Sequence, residues 1–246
     1  MAQIDEIAPD IYRISVLAPG LDMQFNHFLV RDDEPLLFHT GMRGMFAATS
    51  EALATLIDPA SLRWISWSHF EVDECGALND WLAIAPHATP VCGAVGALVN
   101  VNDFANRAPR ALGEDDVLTT GTHRFRWVAT PHLPHGWDAG MLFEERDRVL
   151  FCSDLFHQYG NVEPITRADV VGRYRDAIAA MQAHPVLMDY MPFTHQTRQR
   201  IERLAGLEPR LLAAMHGSAF EGDGAAALRA AADVMEELLG APAVAG

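Results

Sequence analysis

Residues 68–81 read SHFEVDECGALNDW, and His69, Glu71, Asp73 and Glu74 fall within six consecutive positions of that stretch. They follow directly on LRWISW (62–67), an apolar run with the character of a buried strand. Carboxylates this close repel, and each raises the others' pKa. A chain that ends a strand this way either opens into a solvated acidic loop or folds around positive charge. In extended chain, residues two apart point the same way, so His69, Glu71 and Asp73 are expected to converge while Glu74 reaches the other side.

The chain has 246 residues, enough for a sizeable core in one large domain or two small ones, and we read 1–246 as a single domain. Its formal net charge of −15 argues against nucleic acid or an anionic membrane as the main partner. The start, MAQIDEIAPD, is acidic and lacks the basic and apolar regions of a signal peptide. No apolar run approaches the ~20 residues of a membrane helix. Three cysteines, Cys75, Cys92 and Cys152, are too few and too scattered for a disulfide framework or a CxxC zinc site. These features predict a cytoplasmic protein.

Short apolar or alternating runs predict strands at 11–17, 25–30, 35–40, 62–68, 89–95, 123–130, 139–145, 148–154 and 209–216. Helical spacing and good helix formers predict helices at 45–57, 78–86, 168–184, 194–206 and 223–240. The segment 102–116 reads as polar connection. Thr166 and Asp169 have capping-box spacing, Gly206 and Gly240 are placed as helix stops, and the tail APAVAG is expected to fray. Strands come first and mixed elements follow, without a Gly-rich phosphate loop. A sheet-on-sheet core flanked by helices fits this order better than a Rossmann sheet.

Three more potential ligands sit where predicted strands end. His135 lies in TPHLPHGWD after WVAT, Asp154 closes VLFCSD, and His216 closes RLLAAMH. Polar groups at the ends of several strands are how a rigid sheet scaffold aims a site.

Taken in order, these residues resemble the metallo-β-lactamase superfamily signature HxHxDH, then His, Asp and His. The flavodiiron branch is the closer match: its HxExDH motif replaces the second His with Glu, and HFEVDE supplies that residue as Glu71. HGWD and SDLF resemble the surroundings of the next His and Asp. FNHFLV followed by LLFHTG resembles the superfamily's opening hairpin, and the likeness runs over roughly residues 10–220. It implies an α/β fold, an αββα sandwich of two mixed β-sheets flanked by helices. It also implies that His69, Glu71 and His135 hold one metal, that Asp73, Glu74 and His216 hold a second, and that Asp154 bridges them. Two positions depart from the pattern. Glu74 stands where the family has His, and His39 where it often has Asp.

The hard oxygen donors favour two Fe over Zn, with Mn also compatible. The crowded carboxylates are then tolerated because two cations sit among them. The resemblance implies a dinuclear iron protein that binds dioxygen, for sensing or reduction. The chain is too short for the flavodoxin domain of full-length flavodiiron proteins, so either a separate flavoprotein reduces the site or the protein stops at a stable oxygen adduct and signals. A head-to-tail homodimer is likewise implied. The alternatives are a dinuclear hydrolase acting on an ester, thioester or related bond, and an interaction protein that keeps a decaying site. His132 competes with His135 but reads better as a pocket residue. Tyr159 is a candidate pocket hydroxyl. Phe156, Trp137 and Met141 are candidate apolar walls. His27, His39 and His157 read as pocket or hydrogen-bonded histidines, and Cys75 and Cys152 as small buried hydrophobes.

Overall fold

The structure is a computed structural model that describes residues 2–240. Two seven-stranded sheets form its centre. The first runs in chain order: β1 (Gln3–Ala8), β2 (Ile11–Ala18), β3 (Met23–Val30), β4 (Leu36–Phe38), β5 (Trp64–Ser66), β6 (Thr89–Gly93) and β7 (Arg110–Leu112). Its first four strands pair antiparallel and the rest parallel. The second contains β8 (Val117–Thr119), β9 (Arg124–Ala129), β10 (Gly140–Glu144), β11 (Val149–Phe151), β12 (Ile165–Thr166), β13 (Leu211–Ala213) and β14 (Ala219–Glu221). Its order is β12-β14-β13-β11-β10-β9-β8, and it too is mixed.

The apolar runs are continuous because both faces of most central strands are covered. Alternate residues divide between two cores. Phe28, Val30, Leu36 and Phe38 point between the sheets and meet Phe125, Leu142, Val149 and Phe151 from the other side. Phe151 lies 5.3 Å from Phe28 and 5.1 Å from Phe38, centroid to centroid. Their neighbours Leu29, Leu37 and Ile65 face outward, under the helices Phe46–Leu53 and Leu78–Ile84. Leu150 and Leu212 do the same under Val170–Ala183, Thr197–Ala205 and Gly224–Leu239. The last helix buries Ala227, Leu228, Ala231, Ala232 and Met235, one face at helical spacing. No helix among the described residues is long and apolar enough to cross a membrane.

The structure corrects several local expectations. Segment 102–116 holds β7, and β1, β8, β12 and β14 were not anticipated. Thr166 lies in β12 rather than capping a helix. Asp169 is itself the N-cap, accepting from the Gly172 amide at 2.8 Å. Gly206 and Gly240 do follow the last helical residues. The 241–246 tail lies outside the described residues.

Candidate metal centre

The site assembles at one end of the sandwich, where β5, β9, β11 and β13 give way to loops. His69 follows β5. Glu71 is still extended (φ −138°, ψ 156°), and a helical turn, Val72–Cys75, then begins. That turn replaces the extended alternation expected beyond Glu71. Successive side chains now diverge by about 100°, which separates Asp73 from Glu74. After β9, the loop folds back through His132, which takes φ 62° and donates its amide to the Gly136 carbonyl at 2.7 Å. His132 is exposed, and the loop turns His135 inward instead. After β11, Ser153 at φ 52° turns the chain so that Asp154 enters the site. His157 steadies that turn, with Nδ1 at 3.1 Å from the Asp154 carbonyl. After β13, the His216 loop is tied to the first sheet. Asn26 donates to the carbonyls of Ala214 and Gly217, and buried Arg13 donates to Gly217 as well. Gly217 takes φ 109°, and a Cβ there would meet the Gln158 side chain at 2.7 Å.

Two groups of side chains result. His69, Glu71, His135 and Asp154 bring one donor atom each within 4.8 Å of one another, and so do Asp73, Asp154 and His216. In the first, Glu71 Oε2 is 3.0 Å from His69 Nε2 and 3.1 Å from His135 Nε2. Asp154 Oδ2 is 3.0 Å from His135 Nε2 and 3.7 Å from His69 Nε2. In the second, His216 Nε2 is 3.2 Å from Asp154 Oδ1 and 3.4 Å from Asp73 Oδ2. Asp154 therefore faces one group with each carboxylate oxygen. His216 Nδ1 is 3.0 Å from the Gln24 carbonyl, which leaves Nε2 for the site.

The charge balance without a metal is informative. Burial opposes protonation of all three histidines, but the surrounding carboxylates outweigh it. Glu74, Glu71 and Asp154 lift His69 to about 9. Asp154 and Glu71 lift His135 to about 10, and Asp154 and Asp73 do the same for His216. Hydrogen bonds from His135 and His69 draw Glu71 down to about 2. Burial favours the neutral acid at Asp154, yet His135, His216 and His69 hold it well below the ordinary carboxylate range. Protonated imidazoles thus stand in for the positive charge that the carboxylates require.

Glu74 is not brought into either group. It is fully buried on the far side of the helical turn. Its Oε2 accepts from the Ser68 amide at 2.6 Å and the His69 amide at 3.3 Å. Its Oε1 accepts from the Ser153 hydroxyl at 2.5 Å. His39 Nε2 lies 3.5 Å from Oε2. The second group therefore has two carboxylates and one imidazole, where Glu74 had been expected to add a further carboxylate.

A cavity of about 260 Å³ opens onto Glu71, Asp73, His135, Asp154 and His216. Its other walls are Leu21, Met23, Phe25, Tyr159, Met181, Leu187 and Tyr190. Tyr159 is where the sequence placed it. Tyr190, packed edge-on against His135 at 5.2 Å, was missed, because nothing in DYMPF signals a pocket residue. The anticipated walls are elsewhere: Phe156 and Met141 are core residues beneath the helices, and Trp137 is 57% exposed in a separate groove. His27 is fully buried behind the site, 3.3 Å through Nδ1 from the His39 carbonyl. Burial pushes the Cys75 and Cys152 thiols up, consistent with inert packing. A third group, His123, Glu144 and Asp147, is a hairpin tie: Glu144 accepts from the amides of Arg146 and Asp147 and lies 3.1 Å from His123 Nδ1.

Two mixed sheets stacked between helices, with strand-end histidines and carboxylates converging at one rim, define a metallo-β-lactamase-like protein. The family described as "ODP family beta lactamase" matches residues 23–217, and the chain belongs to that family. It is similar to the anaerobic nitric oxide reductase flavorubredoxin of Salmonella arizonae, 29% identical over 139 residues covering 55% of this chain and 29% of that protein. It is 23% identical to the flavo-diiron protein FprA2 of Clostridium acetobutylicum over 163 residues, 61% of this chain and 41% of that one. Among solved structures, rubredoxin oxygen:oxidoreductase from Desulfovibrio gigas superposes with a TM-score of 0.80 at 19% identity, covering 94% of this chain and 61% of that chain. The chain spans between 23% and 41% of the length of the curated relatives it matches.

Proposed function

We propose that this chain is a dinuclear non-haem iron protein that binds dioxygen or a similar small diatomic molecule in the cavity beside Asp154. The observation that carries this reading is the placement of Asp154, with one oxygen toward His69 and His135 and the other toward His216. His69, Glu71 and His135 would hold one iron, Asp73 and His216 the other, and Asp154 both. The donor chemistry fits: three imidazoles, three carboxylates and no thiolate suit iron better than zinc. Asp73 Oδ1 is buried without a hydrogen-bond partner, as expected of an oxygen reserved for a cation.

A pair of ferrous ions supplies electrons to dioxygen when bound. The chain's own residues do the rest. Leu21, Met23, Phe25 and Leu187 wall the cavity with apolar groups that limit water. With Glu74 turned away, the second position is held by only three side chains, which leaves room for an exogenous ligand. The named relatives include a nitric oxide reductase and an oxygen oxidoreductase. Nitric oxide is therefore the natural competitor to test. The diflavin flavoprotein and flavorubredoxin relatives support an electron-transfer flavin group as the source of electrons, and we assign the assembly to a homodimer.

Anaerobic protein loaded with ferrous iron is expected to gain a near-ultraviolet or visible charge-transfer absorption on exposure to O₂. Nitric oxide addition in parallel ranks the two ligands. An unchanged spectrum with both gases defeats the proposal. Retention of zinc, with ester or thioester turnover abolished by chelation, carries the hydrolase reading instead.

A further inference from the structure

The ring of His69 has two sides. Nε2 faces Glu71 and Asp154. Nδ1 faces three oxygens: Ser68 Oγ at 3.3 Å, Ser153 Oγ at 3.4 Å and Glu74 Oε1 at 3.5 Å. For Nε2 to offer a lone pair to a metal, the ring hydrogen must sit on Nδ1 and find an acceptor. Ser153 already donates its own hydrogen to Glu74, which frees its lone pairs toward Nδ1. Glu74 also receives the Ser68 and His69 amides, so a single carboxylate ends the hydrogen bonds of both the ring and the backbone that carries it.

We propose that Glu74 is a positioning residue for the His69 metal position, acting through Ser153 on the ring and through two amides on the backbone, with His39 packed against its other side. This inference rests on the proposed metal site and takes Glu74 out of the ligand set. The pairing with His39 is what makes it specific to this chain. His39 is fully buried at φ 68°, its Nδ1 3.1 Å from the Asn26 carbonyl and its Nε2 without a hydrogen-bond partner other than the nearby Glu74 oxygen at 3.5 Å. The Thr40 amide, next in the chain, donates to the Glu74 carbonyl at 2.8 Å. The segment after β4 thus holds Glu74 by its backbone and packs the His39 ring against its side chain. A lone buried carboxylate here would be costly; two amides and a hydroxyl offset part of that cost, and burial still raises the Glu74 pKa to about 7.

The test compares the intact wild-type chain with Glu74→Gln and Ser153→Ala. Each is titrated anaerobically with ⁵⁷Fe(II), followed by metal analysis, Mössbauer spectroscopy and X-ray absorption. Glu74→Gln is expected to weaken one of the two iron positions by about 10- to 100-fold. Only one quadrupole doublet should move, and the number of oxygen and nitrogen scatterers per iron should stay the same. Ser153→Ala is expected to perturb the same doublet more weakly, and it keeps the proposal testable if Glu74→Gln does not fold. Wild-type affinity at both positions in the variants overturns the inference, and so does loss of an oxygen scatterer in Glu74→Gln, which would make Glu74 a ligand. If wild-type protein takes up no iron, the proposed function falls and takes this inference with it; normal uptake with unaffected variants defeats the inference alone.

Discussion

Asp154 is the residue on which the two groups depend, because each of its oxygens serves a different one. Replacing it with Asn keeps the shape but removes the negative charge that holds His135 and His216. Asp154→Asn is expected to lower iron content from two per chain to one or none, measured by elemental analysis after anaerobic loading. An unchanged stoichiometry would argue that the two groups bind independently. His69, Glu71, Asp73, His135, Asp154 and His216 were all legible as a set, since each follows a strand and their order matches a known signature. Glu74 was misplaced for a local reason. The family signature put it beside Asp73 on the second metal, whereas the helical turn at Val72–Cys75 sends it into the protein, toward Ser68 and Ser153. His132 and His135 are close in sequence, and periodicity alone does not separate them. The reversal at φ 62° does.

At the scale of elements, legibility followed burial. The central strands β3, β4, β5, β10, β11 and β13 are buried on both faces, and their apolar residues stand out as runs. All four sheet edges, β1, β7, β8 and β12, escaped notice. Edge strands are partly solvated and often short, and Arg110–Leu112, Val117–Thr119 and Ile165–Thr166 offer two or three residues with no periodicity to read. Close packing between elements was equally hidden. Gly140 opens β10, and a Cβ there would sit 2.1 Å from the buried Trp127 ring, with no change of backbone conformation to blame. Gly140→Ala is therefore an overpacking mutation. It is expected to cost about 1–3 kcal/mol, read as a lowered denaturation midpoint. Iron stoichiometry should be retained, because the ring lies in the core between the sheets and not against the ligands.

For the whole molecule, the site couples metal, protons and stability. In the metal-free protein the folded-state pKa values of His69, His135 and His216 lie at about 9 to 10, above the ordinary 6.5. Their contribution to stability is complete below about pH 6.5 and is lost as pH rises through 9 to 10. Glu71 has the opposite sign: drawn down to about 2, it contributes above its ordinary 4.5 and loses that contribution as pH falls toward 2. Metal-free protein is therefore expected to melt highest at mildly acidic to neutral pH and to weaken toward pH 10. Metal binding inverts the alkaline limb, since each Nε2 must give up its proton to become a ligand. At neutral pH, filling both positions should release about three protons, one from each imidazole. Calorimetric titrations in buffers of different ionisation enthalpy give this number directly. Affinity should also rise with pH up to the histidine pKa values. Binding that releases no protons, or that is indifferent to pH between 6 and 9, would mean that these three histidines are not the ligands. It would also mean that the carboxylates at this rim are balanced by the imidazolium charges alone.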